Sequence, residues 1–272
     1  MLEITLQESK DIMMQILKDI ALFCDENNLC YYLTYGTLIG AIRHKGFIPW
    51  DDDIDIAMPR PDYERFVKLY HQKGRYGISS PLIDKGCFYL YSKVYDKRTV
   101  KIEERIDYKR FEPLGIDVDV FPLDGIPDEK YKKQYLFWSE IRYWLGIQFS
   151  RSICPFPQHF RTLKGKLIGP IVFGICRMLG QEFFASCYIK IAKLYNYEDS
   201  EYIHVAFPSR GSFRTRHAKS IFSKRIKVLF ENEEFWVPIG YDEYLSNLYG
   251  NYMQLPPIEK RITHHSYKVY WK

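Results

Sequence analysis

The stretch Trp50-Asp-Asp-Asp-Ile-Asp-Ile-Ala-Met58 sets the tightest limits on what this chain can become. Read as an extended segment from Phe47 to Met58, it sends Asp51, Asp53 and Asp55 to one face and Asp52, Ile54 and Ile56 to the other, as a period of two requires. Pro59 and Pro61 then stop the strand. Neighbouring carboxylates on a strand with a greasy reverse face are costly to bury unpaired, so they belong at a sheet edge or cleft where something neutralises them. A hard divalent cation does so, because it takes oxygen ligands and balances the charge of a transferring phosphate. An acidic run is more often a solvated turn, but the alternation with Ile54 and Ile56 argues against that here. A calcium loop fits Asp51, Asp53 and Asp55 and fails at Ile56, where that loop needs Gly, and at Asp62, where it needs a bidentate Glu.

The flanking patterns supply the rest of the scaffold. Residues 5–26 have a helical apolar period behind a Thr5…Glu8 capping box, and Cys30–Thr34 reads as a short strand running into Gly36-Thr37 and a second short helix that ends near Gly46. A glycine beside a helix start admits a phosphate close to the backbone, where the helix N–H groups favour an anion. A helix follows at Asp62–Gln72, a strand pair at Phe88–Tyr95 and Thr99–Glu103, and a strand at Gly115–Phe121 with Asp117 and Asp119 on one face. Three helical stretches come next, Glu129–Phe149, Leu163–Leu179 and Glu182–Tyr195, before short strands at Ile226–Phe230 and Glu234–Val237 and a helix at Tyr241–Tyr249.

These patterns give an α/β (α+β) chain with a mixed-sheet core and a helical lobe. The expected division is residues 1–127 as the core, 128–200 as the lobe and 201–272 completing the core. Composition narrows the class further. With 46% hydrophobic residues in 272, a sizeable core is available, and 23 Tyr with 18 Phe exclude a disordered chain. The net charge of +5 suits anionic partners, yet the basic residues are scattered, so nucleic acid is not expected. Six cysteines without a Cys-x-x-Cys pair point to free thiols in a reducing, cytoplasmic compartment. The N-terminus has no signal-peptide pattern, and the apolar run Leu167–Leu179, broken by Pro170 and Arg177, is too short to span a bilayer.

The sequence Tyr35-Gly-Thr-Leu-Ile-Gly-Ala-Ile-Arg-His-Lys-Gly-Phe-Ile-Pro-Trp-Asp-Asp-Asp-Ile-Asp-Ile56 closely resembles the signature of the LicD phosphotransferase family. The resemblance continues at Asp119-Val-Phe-Pro-Leu-Asp-Gly125, at Val237-Pro, at Tyr241-Asp-Glu-Tyr, at Tyr249-Gly-Asn-Tyr-Met and at Leu255-Pro-Pro257; only residues 128–200 carry none of it. It departs at Asn251, where Asp is commoner, and an amide keeps the turn role. The resemblance implies a nucleotidyltransferase-like fold and transfer of phosphocholine from CDP-choline to a sugar hydroxyl of a glycan or lipid-linked glycan: teichoic acid, lipopolysaccharide or capsule. It further implies that Asp53, Asp55 and Asp119 bind Mg2+ (or Mn2+), that Asp51 stands behind them, that Gly36 and Thr37 hold donor phosphate, and that Arg43 lies near the diphosphate.

Several alternatives stay open at this level. Asp117 shares a strand face with Asp119; Arg43 and Lys45 equally suit a solvated helix; His264 and His265 suit either the site or a plain tail. Another nucleotide-diphospho donor, carrying a phospho-sugar, glycerol phosphate or phosphoethanolamine, would use the same chemistry, and a non-catalytic glycan-binding module would keep the fold without it. Trp50, Tyr89 and Tyr91 are candidates for an aromatic box around a quaternary ammonium, with core packing as the alternative. Leu163–Leu179, with Lys164, Lys166 and Arg177 among its aliphatics, suits either a peripheral contact with the inner membrane face or a core helix of the lobe.

Overall fold

The capping box fixes where the first helix begins. In the computed structural model, which describes residues 2–70, 74–156, 163–205, 215–263 and 266–272, α1 spans Leu6–Glu26. Its Thr5 hydroxyl accepts from the Glu8 N–H while the Glu8 carboxylate accepts from the Thr5 N–H. Ile12, Met13, Ile16, Leu17 and Ile20 form its buried face. A short β1 (Tyr32–Leu33) leads into α2 (Tyr35–Ile39), which widens into one π turn at Gly40–His44 and stops at Lys45 in the left-handed conformation, φ 60°.

The main sheet contains β1, β2 (Asp55–Pro59), β3 (Tyr76–Ser79), β4 (Ser92–Asp96) and β6 (Asp117–Ile126), in the order β1-β2-β6-β4-β3, with α3 (Arg60–Leu69) following β2. Only β2 and β6 run parallel among these pairs. The far half of β6 leaves β4 and pairs with β7 (Tyr202–Val205), which carries β8 (His217–Ala218). One face of this sheet is fully buried: Ile56, Val94, Val118 and Val120 lie in the core with Ile16, Leu17, Phe66 and Val67 of the two helices. At Gly125 a Cβ would come within 2.7 Å of the Asn196 carbonyl and 2.4 Å of the Ser200 hydroxyl, so the last motif residue has no room for a side chain.

Two strand expectations are corrected. The ladder begins only at Asp55, because residues 51–54 are irregular and not the front half of a strand from Phe47. The segments Phe88–Tyr95 and Thr99–Glu103 do not pair with each other. β5 (Thr99–Glu103) instead pairs antiparallel with β11 (Tyr267–Trp271), since the backbone of Leu114 and Ile116 takes the N–H groups of Lys101 and Asp96. β9 (Arg225–Phe230), β10 (Glu233–Pro238) and α6 (Tyr241–Tyr249) stand where the sequence places them, the two strands forming a hairpin.

The middle of the chain is helical. α4 (Lys132–Ile153) packs against α5 (Leu163–Ala192), and both send side chains into the main core, among them Phe149, Ile153, Cys176 and Tyr188. α5 is broken at Gly180, whose φ of 78° and ψ of 164° are not helical, which separates the two stretches expected on either side of residue 180. All six cysteines are free thiols.

Candidate active site

Register brings the acids together. Asp55 at the start of β2 pairs directly with Asp119 on β6, and Asp119 pairs directly with Lys93 on β4. Side chains in register on adjacent strands share a face, so Asp55, Asp119 and Lys93 form one rung across three strands. Asp117, two residues before Asp119, shares that face as well. Lys93 Nζ donates to Asp117 at 2.8 Å and also to Asp119, and Lys101 of β5 donates to Asp117 at 3.1 Å. The Lys93 ammonium lies 4.5 Å from the Tyr89 ring centre and 5.5 Å from that of Tyr91.

Burial makes these charges matter. Lys93 is 3% exposed, Asp117 5%, Asp119 8% and Asp55 9%. Burial pushes the Asp55 carboxyl well above its ordinary value, and the negative charges of Asp53, Asp119 and Asp51 push it further. Burial likewise raises Asp119, Lys93 offsets part of that, and the result is about 6. Asp117 is the opposite case: burial would raise it, but Lys101 and Lys93 outweigh burial and hold it well below the usual range. For Lys93 burial alone would favour the neutral amine, and Asp117 with Asp119 overrides it. Asp117 is therefore held ionised by two lysines, Asp119 shares one of them with it, and Asp55 sits among further acids, so the cluster as a whole carries more acid than base.

Asp119 and Lys93 of the rung open into a cleft of about 260 Å³ whose lining also includes Asp53, Tyr91, Glu104, Arg105 and Tyr267, while Asp55 sits behind Asp119 and is not part of that lining. Five acids and three bases line it, Asp53, Glu103, Glu104, Asp117 and Asp119 against Lys93, Lys101 and Arg105, so its walls are net negative. Beside it, ligand oxygens of Asp51, Asp52 and Asp53 lie within 4.8 Å of one another. That corrects the expectation that Asp52 points to the opposite face: with no strand before Asp55, the run curls and gathers all three carboxylates.

The other expected residues act as supports in the structure. Thr37 Oγ1 accepts from the Asp55 N–H at 2.8 Å, anchoring the start of β2. Gly36 makes room for an acid, since a Cβ there would sit 2.7 Å from Asp51 Oδ2. Arg43 donates to the Tyr252 carbonyl at 2.5 Å and to His44 at 3.0 Å, and it is absent from the cleft lining. The C-terminal motifs close the arrangement from behind: Tyr244 of α6 shares a 2.5 Å hydrogen bond with Thr34 at the head of α2, and Tyr252 donates to Asp242 at 2.6 Å. Trp50 faces His44 and Arg261, not Tyr89 and Tyr91. His264 and His265 lie outside the described residues.

Sequence reasoning missed Lys93, Lys101 and Tyr267. Tyr267 of β11 donates to the Asp52 carbonyl at 2.8 Å. The signal for the lysines was present: Lys93 and Lys101 sit in strand-like segments, where an inward charge demands a partner.

Comparison with known proteins identifies the family. The family profile described as LicD/FKTN/FKRP, nucleotidyltransferase domain, matches residues 28–168, which include every acid of the rung and cleft. The chain is 31% identical over 277 residues to the lipopolysaccharide cholinephosphotransferase LicD of Haemophilus influenzae, with 99% of each chain covered. A protein of Rickettsia prowazekii is 44% identical over 65 residues, 24% of each chain, and one of Rickettsia typhi 41% identical over 58 residues, 21% of this chain and 19% of the other. The chain belongs to the LicD family and is a phosphotransferase of that kind.

Proposed function

We propose that this protein is a metal-dependent phosphocholine transferase, working in the cytoplasm, that moves phosphocholine from CDP-choline to a hydroxyl of a bacterial surface glycan. The observation that carries the reading is the buried rung of Asp55 and Asp119 beside Asp53, an all-oxygen, net-negative set with charge left unbalanced. Such a set fits a hard divalent ion and suits neither zinc nor copper, which favour nitrogen and sulfur. Asp53, Asp55 and Asp119, with Asp51 alongside, are the residues that would hold Mg2+ or Mn2+, which supplies charge neutralisation to a diphosphate. The six free cysteines support a reducing compartment, and similarity to the Haemophilus enzyme supports lipopolysaccharide as the acceptor class.

The chain's own residues do the remaining work. Lys93, fixed between Asp117 and Asp119, orients the Asp119 carboxylate through Oδ1, so that Oδ2 is the oxygen able to take the proton of an attacking sugar hydroxyl. A carboxyl raised to about 6 is a better base than an ordinary aspartate and is still ionised at neutral pH. Arg105, paired with Glu103 at 2.8 Å on the cleft wall, is placed to meet phosphate oxygens. A second cavity of about 260 Å³ shares Tyr91 and Arg105 with the acid cleft and is lined by Phe88, Tyr89, Tyr143 and Phe149. That aromatic lining supports a trimethylammonium group, which offers no hydrogen-bond donor and is held by ring faces.

The test is a comparison of CDP-choline, CDP-glycerol and CDP-ethanolamine as donors with magnesium present, scored by release of CMP with lipopolysaccharide as acceptor. Preference for the trimethylated head group is expected. Equal use of the three would end the choline assignment and leave the phosphotransferase standing.

A further inference from the structure

α5 breaks the pattern expected of a surface helix. Its sequence is apolar nearly all round, and such a helix is normally enclosed by protein or in contact with lipid. Here one side, with Phe173, Cys176 and Phe184, is buried, yet only 17% of the most apolar window is enclosed. The other side presents Leu167, Ile168, Ile171, Ile175 and Met178, each between 47% and 77% exposed. Residues 167, 171, 175 and 178 recur at helical spacing and form one stripe. Trp144 of α4, 56% exposed, extends it, since Trp144, Ile175, Leu179 and Phe183 line one apolar hollow of about 370 Å³.

Charge selects the occupant. Residues 132–192, from the start of α4 to the end of α5, hold nine Lys or Arg and two Glu, a net +7 that stays positive after setting aside buried Arg142 and Arg177, which pairs with Asp107, while the whole chain is +5; the remainder is therefore slightly acidic. Two copies meeting through this lobe would bring like charge together, whereas an anionic lipid surface complements it. By length and composition Lys166–Ala192 is apolar enough to cross a membrane. Three features oppose a crossing. Gly180 breaks the helix; Arg177 is bonded to Asp107 at 2.6 Å on the protein side; and the arm from Leu163 to Leu179 reaches only about 25 Å, against about 30 Å of hydrocarbon.

We infer that the stripe Leu167–Ile171–Ile175–Met178, with Trp144 beside it, is a docking surface for an anionic lipid bilayer, on which α5 lies in the headgroup plane. This surface is independent of the donor's identity. It would hold the acid cleft close to the membrane, where an acceptor built on a lipid is presented.

The experiment is sedimentation of the full chain with vesicles of phosphatidylglycerol and phosphatidylcholine, and with phosphatidylcholine alone, at low and high salt. Expected is binding to the phosphatidylglycerol vesicles that weakens with salt and falls about tenfold or more in the double variant Ile171→Glu, Ile175→Glu, because each carboxylate adds both desolvation and repulsion. The milder pair Leu167→Ser, Met178→Ser should fall in the same direction, so the result does not depend on one variant folding. CMP release with a soluble acceptor should be unchanged in both. No binding at low salt, equal binding to phosphatidylcholine alone, or equal binding by both variants would overturn the inference. So would light scattering that shows a wild-type dimer and monomeric variants without lipid binding, since the stripe would then join two copies.

Discussion

Replacing Lys93 by Met isolates what holds the acid cluster together. Met keeps a straight apolar stem against Tyr89 and Tyr91 and deletes the ammonium that bridges Asp117 and Asp119. Removing one partner of a buried pair costs about 3–5 kcal/mol, because the other charge is left in a poor solvent. Asp117 keeps Lys101 at 3.1 Å, so the loss falls mainly on Asp119 and should sit near the lower end, about 3 kcal/mol at neutral pH. The deficit should shrink on acidification. Asp119 is raised to about 6 in the fold, above the ordinary aspartate value, so the native state binds its proton more tightly than the unfolded chain does. Stability from this group therefore falls as pH rises through that window, and without Lys93 the window extends higher. Lys93 itself adds no slope near neutrality: its folded value is raised, so its contribution is complete below the ordinary lysine pKa and fades only in strong alkali. Urea unfolding in EDTA at neutral pH and near pH 5 reads both effects. A variant within about 1 kcal/mol of wild type at neutral pH, or an equal loss at both pH values, would refute the account.

Asp55→Asn and Asp119→Asn should each lower transfer about 10²-fold or more with the fold retained, as judged by circular dichroism and CMP release. Asp52→Asn should weaken Mn2+ binding as Asp53→Asn does, measured by titration calorimetry, since Asp52 clusters with Asp51 and Asp53. Gly36→Ala should displace the Asp51 carboxylate, the first atom its Cβ would meet, and weaken Mn2+ binding while changing stability by less than about 1 kcal/mol, because a side-chain end can shift. Divalent binding should tighten as pH rises through about 6, because Asp119 must lose its proton to act as a ligand; calorimetry at several pH values would show flat affinity if that is wrong.

What the sequence disclosed depended on how local the determining physics was. The α1 cap, the Gly180 break and the α6 boundaries follow from short-range signals and stand where those signals put them. The pairing of β5 with β11 joins residues more than a hundred and fifty positions apart, and no local pattern distinguishes it from the hairpin expected with β4. Alternation and resemblance propose Asp53, Asp55 and Asp119 as site residues, but alternation carries the strand further than the ladder goes. Asp55 is in the ladder, whereas Asp53 approaches it from an irregular run. A period of two names the face of a residue only where a neighbouring strand enforces the pleat.

The choice between Asp117 and Asp119 shows what register adds. Both lie on one face of β6, so spacing alone treats them as equal. Pairing separates them. Asp119 stands opposite Asp55 across a parallel pair, so two acids must share one buried space. Asp117 pairs with Tyr95 and has Lys93 and Lys101 for company, which spends its charge inside the protein. Lys93 thereby holds one carboxylate as ballast and steers the other, and the excess negative charge collects at Asp53, Asp55 and Asp119. A chain built only for stability would gain by replacing such a buried ionic set with packed aliphatics. The reverse face also holds buried acids, Asp96 and Asp124, but each has an arginine partner, Arg75 and Arg60, so the crowding of Asp53, Asp55 and Asp119 is what marks the cleft face as the one suited to chemistry.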